Sequence, residues 1–197
     1  MLDCGRTSSL YRSFVLIVLA SVWSGSVAAQ SSGNADREAF LAGKTADCPG
    51  SDLSGVRLKR RDLSGADLTN ANLSNAVLHR AKLAGAKLDG ANLQHANLNK
   101  TDLKRASLRK ADFTGSLLYE ADLSAANLEG AILDGTRMGR ARLTQAKLAG
   151  AHIEAAVAKE ARLAGADLTG AILERTNLRG ADLQRAILTA AKMNGAS

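Results

Sequence analysis

Ala66-Asp67-Leu68-Thr69-Asn70 states a pattern that returns in the same frame at Ala91-Asn92-Leu93-Gln94-His95 and at Ala181-Asp182-Leu183-Gln184-Arg185. The period is five, and five suits neither common element. Ala and Leu favour helix by propensity, but at about 100° per residue a five-residue step advances the apolar pair by about 140°, so no amphipathic stripe forms. Along a flat strand the same odd step sends successive leucines to opposite faces. A chain that turns a corner every five residues removes both conflicts, because each unit then points its Ala and its Leu at one central axis. Four corners close a square coil of about 20 residues, and coils of this kind stack as repeat units do.

Numbered from Leu53 to Met193, the frame holds 29 centres, of which 24 are Leu; Phe113, Met138, Ile153, Ala158 and Met193 are the others. Ala stands two residues before the centre in 22 units, Ser or Thr in most of the rest, and only Val56 and Arg61 are bulky there. The expected axial core therefore includes Leu63, Leu68, Leu73, Leu83, Leu88, Leu93, Leu98, Phe113, Leu123, Leu168 and Leu183. Asp or Asn just before the centre is suited to bond nearby turn amides, and the frequent Gly in the last place tolerates torsions that other residues find costly. Ala158 leaves an axial Leu missing, so a local cavity or bulge is expected there.

The consensus A-[D/N]-L-x-x, held from Ser51 to Gly195, closely resembles that of the pentapeptide-repeat family. The resemblance implies an all-β fold, a right-handed quadrilateral β-helix. Just over seven coils at about 4.8 Å each make a rod roughly 35 Å long. It implies little about activity, since such a scaffold hosts many roles.

Ahead of the repeat, Arg6 and Arg12 precede the apolar run Phe14 to Ala20, and Val27-Ala28-Ala29 stands before Gln30. The run is short for a span, which needs about 20 apolar residues, and the order of basic start, apolar run and small residues reads as a cleaved signal peptide, the alternative being an uncleaved N-terminal anchor. The expected organisation is signal peptide 1–29, linker and cap 30–50, and β-helix 51–197, with no transmembrane span in the mature chain and an exported, periplasmic or extracellular address. Cleavage leaves Cys48 as the single cysteine, open to an intermolecular disulfide or thiol chemistry, but with no acid, base or second Cys nearby in sequence it reads rather as a small buried residue capping the fold. Asn34 to Gly43 begins with a capping residue, carries Asp36 and Glu38 early and stops at Gly, so it reads as a short helix laying Phe40 and Leu41 on the first coil. The repeat runs to within a few residues of Ser197, which predicts an uncapped last coil and a homodimer formed through it. The resemblance suggests the same, since several family members dimerise end to end.

Composition narrows the function classes. The chain has 26 Lys and Arg against 19 Asp and Glu, a net charge of +7, with 46% hydrophobic and only 3% aromatic residues. Folding the frame on four faces puts Arg57, Lys59, Arg60, Arg80, Lys100, Arg137, Arg140, Lys159 and Arg179 on one face against Glu120 and Glu160 alone, so this face matches the whole excess. Such a strip suits a phosphate- or carboxylate-rich partner, or serves solubility only. With export and few aromatics for base stacking, nucleic acid is a poor partner, while anionic lipid head groups or envelope polysaccharide fit. Family members that protect DNA gyrase look like acidic, DNA-mimicking rods, and the cationic charge here departs from that pattern. His79, His95 and His152 fall on different coils, so neither a metal cluster nor a triad is suggested, and no cofactor or enzymatic activity is expected. The expected function is a non-enzymatic exported scaffold for protein or cell-envelope interactions; the alternative is a binder of anionic surfaces through the basic face.

Overall fold

The computed structural model describes residues 35–197; the signal peptide expected at 1–29 lies outside them. Helix α1 spans 35–41, and Gly43, at φ 75°, ends the turn that follows it. From Asp52 to Lys192 the chain makes single-residue parallel bridges, each joining a residue to the one 20 further on, as in Asp52 to Asn72 and Ile172 to Lys192. The coil is thus closed by four corners per turn, and its sides are too short to carry strands of more than one bridged residue.

The five positions of a unit divide the work. The centre N–H donates to a carbonyl 19 residues on, as Leu73 does to Asn92 at 2.7 Å, and the residue before it donates back down, as Asn72 does to Ser51 at 2.9 Å. The corner closes with a bond such as Ala76 N–H to the Leu73 carbonyl, 3.1 Å. Its last residue has φ between 52° and 71° in every unit from Gly55 to Gly195, while the residue before it does not, which is the requirement of a type II turn. Seventeen of these left-handed residues are not glycine, so the ladder holds many side chains in a conformation that only glycine takes freely. The amide left over in the corner is served by the Asp or Asn two residues back, as Asp62 Oδ1 accepts from Ser64 N–H at 3.1 Å and Asn92 Oδ1 from Gln94 N–H at 3.0 Å.

Leu and Ala from all sides meet on the axis, and Leu63, Leu68, Leu73, Leu83, Leu88, Leu93, Leu98, Phe113, Leu123 and Leu168 are buried. Leu183 is not: it is only partly buried, like Leu178 and Met193, because no further coil covers 178–197 in the described structure. Ala158 breaks nothing. Its N–H donates to the Asn177 carbonyl at 2.8 Å and Val157 keeps its bridges to Arg137 and Asn177, so there is no bulge. Thr101 and Thr136, at the small position, point their hydroxyls at the Leu78 and Leu133 carbonyls, both 2.8 Å.

The first coil explains the two odd residues near it. Phe40 is buried, whereas Leu41, expected beside it on the coil, is exposed. Arg61 stands at an inward position with α1 beside it. Its guanidinium donates to the Phe40 and Leu41 carbonyls and lies 4.9 Å from the Phe40 ring centroid. The ladder also begins one unit earlier than Ser51: Cys48 N–H donates to the Asp67 carbonyl and Gly50 N–H to the Thr69 carbonyl, both 2.8 Å. Ala46-Asp47-Cys48-Pro49-Gly50 is therefore a unit with Cys48 as its buried centre, its thiol 3.1 Å from Ser51 Oγ.

Candidate interaction surface

Side chains leave the rod from three positions of each unit, and those 20 apart stand one above another. On the cationic face the three columns begin at Arg57, Lys59 and Arg60. The column from Arg60 runs through Arg80, Lys100, Glu120, Arg140 and Glu160. Within it Lys100 pairs with Glu120 at 3.2 Å and Arg140 with Glu160 at 2.8 Å. Two of the nine expected face cations are thereby neutralised by the next coil. Arg57, Lys59, Arg60 and Arg80 make no ion pair among the described residues and lie together on the first two coils, while Arg137, Lys159 and Arg179, equally without ion pairs, are spread over the later ones.

Cations around His79 on these coils act on its imidazole. Its imidazole is held below the ordinary histidine value, first by desolvation and then by the charges of Arg80, Lys59, Lys100 and Arg60. Elsewhere the coil-to-coil spacing pairs charges in the same manner, Lys82 with Asp62, Lys87 with Asp67 and Arg142 with Asp122. On the other three faces cations and carboxylates are close to equal in number, although Arg105, Lys110, Lys147, Arg162, Arg185 and Lys192 make no ion pair among the described residues.

Many of the acidic residues are turn-builders. Where a unit lacks Asp or Asn before its centre, a side chain from the coil below can take over: Asp89 serves Arg109 N–H, Asn99 serves Tyr119 N–H and Asp134 serves Glu154 N–H, each at 2.8 Å. Their carboxylates and amides are committed to the frame. His79, His95 and His152 stay apart on separate coils, and among the described residues no group of three His, Cys, Asp or Glu is close enough to hold a metal ion. Likewise no described helix is long and apolar enough to cross a membrane.

A model of pentapeptide repeats, eight copies long, matches residues 51–90, 86–124, 121–157 and 159–197. The chain belongs to the pentapeptide-repeat family. No curated protein matches it. Among solved structures it is similar to HetL, a pentapeptide repeat protein involved in heterocyst differentiation regulation from the cyanobacterium Nostoc sp. strain PCC 7120. Identity is 28%, over 82% of this chain and 95% of that one, with a TM-score of 0.45. It is also similar to Rfr23, a pentapeptide repeat protein from the cyanobacterium Cyanothece 51142, at 26% identity over 83% of this chain and 97% of that one, TM-score 0.40. A third is full-length QnrB1, a plasmid-mediated fluoroquinolone resistance protein, at 17% identity over 73% and 91%, TM-score 0.38. On this pentapeptide-repeat rod the feature that sets one face apart is its excess of cations, nine against Glu120 and Glu160.

Proposed function

We propose that this pentapeptide-repeat chain is an exported, non-enzymatic scaffold that docks on an anionic envelope surface, lipid head groups or polysaccharide, through its basic face. In this reading 1–29 directs export and leaves a rod of about seven right-handed coils, closed at its first coil by α1. The observation that carries it is the quartet Arg57, Lys59, Arg60 and Arg80, four cations on two adjacent coils without ion pairs among the described residues. A rigid ladder that holds cations in columns presents them to a flat anionic surface with little ordering cost.

Vesicles of phosphatidylglycerol mixed into phosphatidylcholine test it. Binding is expected at low salt, fading as ionic strength rises. Replacing the quartet with Gln is expected to weaken it by up to roughly a thousandfold, at about 1 kcal/mol for each basic residue near an anionic surface. Binding that ignores both salt and the quartet overturns the reading. A second reading adds a homodimer, favoured by the partly covered apolar side chains of residues 178–197, with Ile187 50% exposed.

A further inference from the structure

Each unit has a corner residue just after its centre, and in 29 units Gly139 is the only glycine there. The backbone does not call for it. The left-handed residue is the next one, Arg140 at φ 57°, and Gly139 itself is outside that region. A Cβ added at Gly139 would stand 3.5 Å from Tyr119 Cδ2 and 3.7 Å from the Lys159 carbonyl oxygen, both ordinary contacts. What the glycine does is leave out a side chain between Tyr119, one coil before, and Lys159, one coil after.

The walls of that gap are unusual for this rod. Tyr119 and Val157 are 39% and 38% exposed, and the other large apolar side chains of similar exposure among the described residues, Leu41, Ile187 and Leu188, lie towards its two ends. Tyr119 is fixed in place: its N–H donates to Asn99 Oδ1 at 2.8 Å, and Arg140 Nη1 donates to its hydroxyl at 3.1 Å while Arg140 Nε holds Glu160 at 2.8 Å. Arg140 is thus neutralised, whereas Arg137 and Lys159, beside the gap, have no ion pair among the described residues. Two centres behind the same wall, Met138 and Ala158, also depart from Leu.

We propose that the gap over Gly139 is a docking notch for an acidic segment of a partner protein, which inserts one apolar side chain between Tyr119 and Lys159 and sets flanking carboxylates on Arg137 and Lys159. The notch is one side chain wide and its rim is polar, so it takes a single residue of a chain rather than a layer of acyl tails. Because Tyr119 is held before a partner arrives, little order is lost on binding. The proposal rests on the scaffold reading above but not on its basic quartet.

The test uses the full chain and a fluorescein-labelled peptide carrying one phenylalanine between two pairs of acidic residues, followed by fluorescence anisotropy. Gly139→Gln fills the notch without backbone strain. It is expected to leave the melting temperature unchanged and weaken peptide binding by about fivefold or more, the loss that marks an interface hot spot. Exchanging the peptide's phenylalanine for alanine is expected to do the same, and Arg137→Gln with Lys159→Gln to weaken binding in a salt-dependent way. The quartet variant should keep peptide affinity within about twofold, since even its nearest member, Arg80, is three coils from the corner at Gly139 and Arg140, about 14 Å and beyond a Debye length of about 8 Å. Loss of vesicle binding and loss of peptide binding therefore report separately on the two surfaces. A peptide that fails to bind, binds equally well with alanine, or ignores Gly139→Gln overturns the notch.

Discussion

Ala158 is a buried centre with nothing beyond a methyl group, and Met138 stands one coil before it in the same axial column where Leu58, Leu78, Leu98 and Leu118 precede. A flexible thioether next to a short residue is a pairing that fills irregular space. The period alone pointed to a bulge or a cavity, and the bulge is absent because every inter-coil bond on either side of Ala158 is made by backbone, which does not depend on the side chain. Ala158→Leu with Met138→Leu restores the column and is expected to stabilise the rod by about 1–2 kcal/mol, seen as a higher melting temperature. Ala158→Leu alone should gain less, because a flexible thioether one coil away competes for the same axial space. A lower melting temperature for the double variant would mean that the column is narrowed there and that the short residue is required.

In the five-residue unit the Asp column couples folding to acid. Asp122 is held below the ordinary carboxylate value: burial pushes it up, but the Ser124 hydroxyl and amide, with Lys104 and Arg142 nearby, outweigh that. Asp52, Asp62 and Asp167 are lowered too, chiefly by bonds from Ser54, Ser64 and Thr169. A carboxyl with a lower pKa in the folded state means that the unfolded chain binds more protons. The stability it contributes is then complete above the unfolded value, about 3.9, and is lost as pH falls through the folded one. The melting temperature is expected to be flat from neutral pH to about 5 and to drop below about 4. Asp122→Asn keeps the turn acceptor, as Asn72 and Asn92 do for Ser74 and Gln94. It should cost less than about 1 kcal/mol at neutral pH and shallow the acid drop, because Asn keeps the turn bonds and the cations that lose their partner, Lys104 and Arg142, are half exposed. An unchanged acid limb would show that the other carboxylates carry the effect. The roles within a unit were readable from sequence because each is decided inside five residues: small residue, turn builder, centre, corner, left-handed end. What lies 20 residues away was harder. The neutralising of Lys100 and Arg140 and the anchoring of α1 by Arg61 depend on the neighbouring coil, and the unit at Ala46 to Gly50 hid behind a cysteine where leucine is the rule. Gly139 does not stand out in sequence, because glycine in this chain looks like a left-handed corner residue until its torsion is known.

The two ends of the rod differ, and that difference sets how copies can meet. At the first coil α1 covers the core, with Phe40 buried and Arg61 bonded to the carbonyls of Phe40 and Leu41. In residues 178–197 the centres Leu178, Leu183 and Met193 are only partly covered, Leu188 is exposed, and the N–H groups of Leu183, Leu188 and Met193 lack the acceptor that every earlier centre finds on the next coil. Unpaired edge amides over an apolar surface are a template for another copy. A head-to-tail contact would have to displace α1 from the opposite end, which favours a closed pair over growth into a filament. Two C-terminal coils meeting across a two-fold axis make a self-complementary contact that closes on itself. Light scattering with in-line chromatography is expected to give twice the monomer mass at high micromolar concentration, little affected by salt because apolar burial dominates. Ile187→Lys with Leu188→Glu should return the monomer and cost the isolated rod no more than about 0.5 kcal/mol of stability for each substitution, since both side chains are exposed there. A mass that keeps growing with concentration would show that α1 does not seal the first coil, and a strict monomer at that concentration would remove the C-terminal coil as an interface.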